Sequence, residues 1–346
     1  MAGWMAKGFG VLVCVAIGVL IALYGTVLST LSLITQPATV GVQWKRSNGS
    51  QFAVEASLVT RTNTPASKVT SPLKTSYIRE KVLTKLTLSD IIQIYKTDIN
   101  PEFFDFEVNR TELTLQNRTE TIPEQDRCAV VGNSGILTDS RCGAAIDDHD
   151  YVFRMNLAPF GGDFGTDVGY KANATTMNYS QMTRLGRAAR KTLSISNTTL
   201  GTWVERVKMY NHSVIWYPKG GSRKGNMNNL GRAMGKQFNF EARWAYSPMS
   251  LFGAIPRIWK KRTPSTGLMI VSAAAMFCRE ITMFGFYPFY VDSRNRTLSY
   301  HYYDNFMMNY TTNAHKMPWE FKLFVDLEKI GALRLQQDVC DPSSLH

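Results

Sequence analysis

The first apolar stretch runs from Phe9 to Ile34, and no charged residue occurs between Lys7 and Lys45. Twenty-odd helical residues at about 1.5 Å each cover the roughly 30 Å hydrocarbon core of a bilayer, whereas a cleavable signal peptide has an apolar part of about 7–15 residues. The pattern predicts an uncleaved signal anchor over residues 8–34 behind a short tail, residues 1–7. Residues 35–85 are rich in Ser, Thr and Val, with Asn63-Thr64-Pro65 and Ser71-Pro72 as breakers. That composition reads as a stem that cannot fold alone and holds a domain off the membrane. A helix opens at Ser89-Asp90-Ile91-Ile92 and Asn100-Pro101 closes it, so the folded domain is expected over 86–346.

Within that domain the apolar runs are short and end on turn residues. Cys128-Ala-Val-Val131 runs into Gly132-Asn-Ser-Gly135, Tyr151-Val-Phe153 into Arg154-Met-Asn156, and Val214-Ile-Trp-Tyr217 into Pro218-Lys-Gly-Gly221. Each reads as a buried strand feeding a loop. The longer run Leu268 to Phe277, preceded by Ser265-Thr-Gly267, has helix length and a cap, and Ile281-Thr-Met-Phe284 is a further strand ending at Gly285. Strands alternating with helices predict an α/β domain, a mainly parallel sheet sandwiched by helices. In such sheets the loops at the carboxyl ends of the strands meet ligands.

The 346 residues suffice for one large domain. Asn-x-Ser/Thr acceptors start at Asn48, Asn109, Asn117, Asn173, Asn178, Asn197, Asn211, Asn295 and Asn309, all after the apolar run, which fits a body that matures in the secretory lumen. Cys14 falls in the anchor, leaving Cys128, Cys142, Cys278 and Cys340 as an even lumenal set. Four thiols allow three pairings; no pair has zinc-knuckle spacing, and an oxidising lumen favours disulfides. The net charge of +12 is concentrated: Gln181 to Arg262 holds 16 Lys or Arg against only Glu205 and Glu241. Such a region is either a solvated face or a field for an anionic nucleotide, an acidic glycan or a phospholipid surface. Nucleic acid is no partner for a lumenal chain.

Cys128 to Asn173, opening CAVVGNSGILTDSRCGAAIDDHDYVFRMNLAP, resembles the large sialylmotif of the animal sialyltransferases, and Pro264 to Phe289, PSTGLMIVSAAAMFCREITMFGFYPF, resembles the small one. His301-Tyr-Tyr-Asp304 is similar to the third motif and His315-Lys-Met-Pro-Trp-Glu320 to the very small motif. Both short motifs look most like the α2,8-linking branch. The resemblance implies a Rossmann-like, GT-A-like variant fold and an inverting transfer of sialic acid from CMP-sialic acid to a sialylated glycolipid or glycoprotein, with no cofactor and no required metal. It also implies a Golgi single-pass type II membrane protein, with room for a homo-oligomer. A different linkage, or an anchored sialoglycan-binding protein without activity, is the alternative.

By the motif match His315 is the base and His301 assists departure of the CMP phosphate; an imidazole with an ordinary pKa of about 6.5 can take a proton near neutrality. The donor falls to Asn133, Ser134 and Asn156 at the strand ends, to the helix start Ser265, Thr266 and Gly267, and to Gly285 and Tyr287. Tyr287 departs from the family pattern, where tryptophan follows Gly-Phe, and offers less ring for cytosine. Glu320 orients the His315 loop or is simply a surface or capping carboxylate. The resemblance also selects the pairing Cys128 with Cys278 and Cys142 with Cys340. The strongest rival reads Asp147-Asp148-His149-Asp150 as an Asp-x-Asp metal site for a nucleotide diphosphate.

Overall fold

The computed structural model describes residues 40–43, 55–58, 75–95, 119–191, 193, 198–219, 224–247, 249–261, 263–304 and 316–340. It comprises two compact units, residues 1–68 and 69–346. In the first, strands β1 (Val40–Gln43) and β2 (Glu55–Leu58) pair antiparallel. The expected anchor lies outside the described residues, among which no helix is long and apolar enough to cross a membrane.

The second unit begins with helix α1 (Ser76–Leu83), inside the segment expected to be stem. Ile78 and Val82 are fully buried, the Thr75 hydroxyl donates to the Cys278 and Arg279 carbonyls, and Arg79 donates to those of Ala275 and Cys278. The packed body therefore starts upstream of residue 86. Helix α2 (Leu88–Ile91) is a single turn with a Thr87/Asp90 capping box, where a helix running toward Asn100 was expected. It gives way to strand β3 (Gln93–Tyr95), because Ile94 and Tyr95 bury against the sheet edge as extended residues.

The remaining elements are β4 (Thr119–Glu120), β5 (Gln125–Val131), α3 (Gly143–Asp147), β6 (Tyr151–Arg154), α4 (Gly165–Val168), β7 (Ala174–Thr176), α5 (Tyr179–Ala188) and α6 (Thr198–Lys208). There follow β8 (Val214–Tyr217), α7 (Lys224–Phe238), β9 (Arg243–Tyr246), α8 (Met249–Ile258), α9 (Thr266–Ala274), β10 (Cys278–Phe284), α10 (Met317–Lys329) and β11 (Arg334–Gln336). Among the described residues one sheet runs β11-β10-β5-β6-β7-β8-β9-β3-β4. It is parallel from β11 to β9; near one edge β3 alone runs against the rest, pairing antiparallel with both β9 and β4.

The four-residue strands β6 and β8 are buried throughout, and so is the Cys128–Val131 half of β5. That is the mark of a sheet covered on both faces, and it is why these runs carry no polar alternation. Chain order reverses between β5 and β10: from β5 the sheet proceeds to β9 one way and to β10 and β11 the other. A crevice opens at such a reversal, beyond the carboxyl ends of the two strands. The buried disulfide Cys128–Cys278 crosslinks these strands, and Cys142–Cys340 holds the segment after β11 against the loop after β5. Both pairings are those the resemblance implied.

Candidate active site

A cavity of about 280 Å³ sits at the chain reversal. After β5 the chain turns at Gly132, whose N–H donates to the Phe284 carbonyl, and Ser134 N–H donates to Gly285 O. The two loops lie so close that a Cβ on Gly132 would strike the Gly285 carbonyl; Gly285, at φ +71°, adopts the left-handed conformation that glycine tolerates. Asn133 Nδ2 donates to the Met155 carbonyl at 3.3 Å and to Tyr303 Oη at 3.4 Å. Its Oδ1 is buried with no hydrogen-bond partner among the described residues.

Asn156, at φ +56° after β6, is held through its N–H to Thr176 Oγ1 and through its carbonyl, which accepts from Gln181 Nε2 at 2.7 Å. Helix α9 opens into the cavity with Ser265 as its cap, accepting from Leu268 N–H. The first N–H groups of a helix have no partner within it, so Thr266 and Gly267 present donors where an anion can bind. His301 lines the same cavity. Its Nδ1 meets Asp304 Oδ2 at 2.7 Å. A carboxylate only accepts, so Nδ1 carries the hydrogen and Nε2 is the nitrogen left for a ligand. Tyr303 stacks on His301 at 4.9 Å. Burial pushes the Tyr303 hydroxyl up to about 12 and raises Tyr300 and Tyr287 as well, so these rings remain neutral donors at physiological pH.

All eight residues expected to contact the donor, Asn133, Ser134, Asn156, Ser265, Thr266, Gly267, Gly285 and Tyr287, line this cavity together with His301. His315 lies outside the described residues. Two of the expected hydroxyl donors are engaged inside the protein. Ser134 Oγ donates to the Tyr287 carbonyl, and Ser265 Oγ donates to Glu320 Oε2. Glu320, 2 % exposed, also accepts from Ser265 N–H at 2.9 Å, so it fixes the start of α9 from the first turn of α10. It is neither a surface carboxylate nor a cap of its own helix.

Sequence reading missed Asn178 and Lys219, which line the cavity just beyond β7 and β8. Asn178, expected as a glycosylation site, caps α5 through Gln181 N–H, and Asn173 Oδ1 accepts from Val152 N–H inside the sheet. Asn211 and Asn295 are exposed, while Asn48, Asn109, Asn117, Asn197 and Asn309 are outside the described residues. The Asp-x-Asp sequence precedes β6 and so lies at the opposite end of that strand from the cavity. Asp147 accepts from the N–H groups of Tyr170 and Lys171, and Asp148 and Asp150 engage Arg127. These carboxylates do not face the site.

The chain matches glycosyltransferase family 29 (sialyltransferase) over residues 80–332. An alpha-N-acetylneuraminide alpha-2,8-sialyltransferase of Bos taurus is 38% identical over 226 residues, 63% of this chain and 61% of the relative. One of Xenopus laevis is 34% identical over 245 residues, 66% of this chain and 65% of the relative. The match thus spans under two thirds of either relative's length. Two crystal structures of a mammalian sialyltransferase, one in complex with Gal-beta-1-3GalNAc-ortho-nitrophenol, align at TM-score 0.41 with 18% and 19% identity, over 78% and 79% of this chain and 82% and 92% of theirs. On the family match over most of its length, this chain belongs to glycosyltransferase family 29, the sialyltransferases.

Proposed function

We propose that the chain transfers sialic acid from CMP-sialic acid to a glycan hydroxyl with inversion, forming an α2,8 linkage on a sialylated glycolipid or glycoprotein. The observation that carries this reading is the convergence of strand-end amides, the N–H groups of α9 and the Asp304-held His301 on one cavity. In the proposed reaction the acceptor oxygen bonds to the anomeric carbon as the bond to the CMP phosphate breaks. The acceptor proton passes to His315, and the leaving phosphate collects hydrogen bonds from His301 and from the start of α9. Asn133, with its unpaired Oδ1, and Asn156 hold the nucleotide, and Tyr287 lies under the base. No metal and no cofactor enters this scheme, since a departing monophosphate is met by N–H donors.

The alpha-2,8 linkage in the names of the Bos taurus and Xenopus laevis relatives supports the linkage proposed here. The apolar run over residues 8–34 and the sequons downstream support a Golgi type II membrane protein with a stem and a lumenal catalytic body. Incubation of the lumenal part with CMP-sialic acid and a sialylated or desialylated glycan tests the reading. Transfer to the sialylated glycan is expected, with the linkage read from the product by NMR and with full activity in EDTA. Failure to transfer to either glycan refutes it.

A further inference from the structure

A second, open groove of about 530 Å³ adjoins the first cavity, with Pro159, Phe164, Glu205, Arg206, Met209 and Tyr303 among its walls. Tyr303 links it to that cavity: its hydroxyl receives a hydrogen bond from Asn133 and its ring stacks on His301, both of which line the first cavity. The Arg206 guanidinium lies 4.6 Å from the Tyr303 ring centroid and 4.8 Å from that of Trp203. Two aromatic rings hold a planar cation in place by cation–π attraction without using its N–H groups. Glu205, the adjacent acid, pairs with Lys208 at 3.0 Å, and no carboxylate forms an ion pair with Arg206 among the described residues.

We propose that Arg206 is the carboxylate clamp of an acceptor subsite, by which the enzyme selects glycans ending in sialic acid. This rests on the sialyl-transfer reading and adds the residue that recognises the acceptor. A fixed, half-exposed guanidinium fork matches a carboxylate in two parallel hydrogen bonds, and the flanking rings accept the apolar face of a sugar. Glu205 on the same groove disfavours a dianion such as a phosphate monoester, so the groove suits a singly charged sugar acid. Terminal sialic acid carries its carboxylate and its glycerol side chain on one residue. A clamp against the Tyr303 ring, whose hydroxyl meets Asn133, therefore holds the acid beside the donor cavity, where an 8-hydroxyl could attack.

Calorimetric titration of the full chain in detergent, with CMP present, tests this using α2,3-sialyllactose, lactose and 3′-sulfated lactose as probes. Wild type is expected to bind sialyllactose at least about tenfold more tightly than lactose, the usual effect of a charge-assisted hydrogen-bonded pair. Arg206→Gln abolishes that preference and Arg206→Lys restores part of it. Both retain wild-type CMP affinity and melting temperature, because Arg206 is half-exposed and lines only the second groove. Unchanged sialyllactose affinity in Arg206→Gln overturns the clamp, and equal binding of sulfated lactose overturns its preference for a carboxylate. A wild-type chain that binds no CMP overturns the donor reading itself.

Discussion

The two sides of the sheet build their parts of the molecule by opposite means. On the β5–β10 side backbone meets backbone: loops end on glycines that approach each other, a disulfide pins the same strands, and the contacts offered to a ligand are mainly amides and N–H groups. On the β7–β9 side, long side chains on helices α5 to α8 carry the positive excess, and Arg206 and Lys219 face open space rather than the core. The first arrangement admits almost no substitution because its geometry has no slack. The second is tuned by exchanging one side chain. The proposed nucleotide donor suits the rigid side, and the proposed sialylated acceptor suits the adaptable one.

That contrast is broken most severely at Gly132. A Cβ there would meet the Gly285 carbonyl, backbone against backbone, and neither loop can yield while β5 and β10 stay paired. Gly132→Ala is expected to lower kcat/KM more than about 100-fold and to cost about 1–3 kcal/mol, the usual penalty of forced overpacking. Transfer assays alongside urea unfolding check both figures. A variant that transfers at the wild-type rate would show that the two loops have room to spare.

The opposite outcome is expected on the other side. Gly235, exposed near the end of α7, has nothing nearer its missing Cβ than the Phe240 carbonyl at 3.8 Å. Gly235→Ala should raise stability by about 0.5–1 kcal/mol, since alanine reduces the freedom of the unfolded chain and favours the helix. Activity should not move. Urea midpoints measured on the two alanine variants together give shifts of opposite sign if the contrast holds.

How much of this was legible in the chain depends on whether a signal was local. Strands β5, β6, β8 and β10 and the Ser265 cap of α9 announce themselves as short apolar runs bounded by glycine, asparagine or serine, and the structure has each of them in place. The helix expected to run to Asn100 was misread because Ile91, Ile92 and Ile94 suit a buried strand as well as a helix, and pairing with β9 decides it. Glu320 bonds to Ser265, 55 positions away, which no periodicity reports. Lys219 and Asn178 reach the cavity because β7 and β8 follow β6 in turn across the sheet, a matter of sheet order. Arg206 looked like one of many surface cations until the fold set Trp203 and Tyr303 against it.

The smallest effect concerns protons on the rigid side. His149 packs edge-on against Phe284 at 5.7 Å, with Nδ1 donating to the Ala145 carbonyl at 2.8 Å. Desolvation holds this imidazole below its ordinary value of 6.5, with Arg127 nearby adding to the effect and Ala145 and Asp148 opposing it. The folded state therefore favours the neutral ring, whereas the unfolded chain binds a proton at about pH 6.5. The ring's contribution is complete above that pH and drains away as pH falls from there through the lower folded value. His149→Phe keeps the aromatic contact and removes the proton site, at the cost of the bond to Ala145. Its stability is expected to start somewhat lower at pH 8 and to decline less steeply than wild type below pH 6.5. Thermal unfolding at half-unit steps from pH 8 to pH 5 would measure both slopes, and parallel curves would mean that His149 does not contribute to the acid sensitivity of the fold.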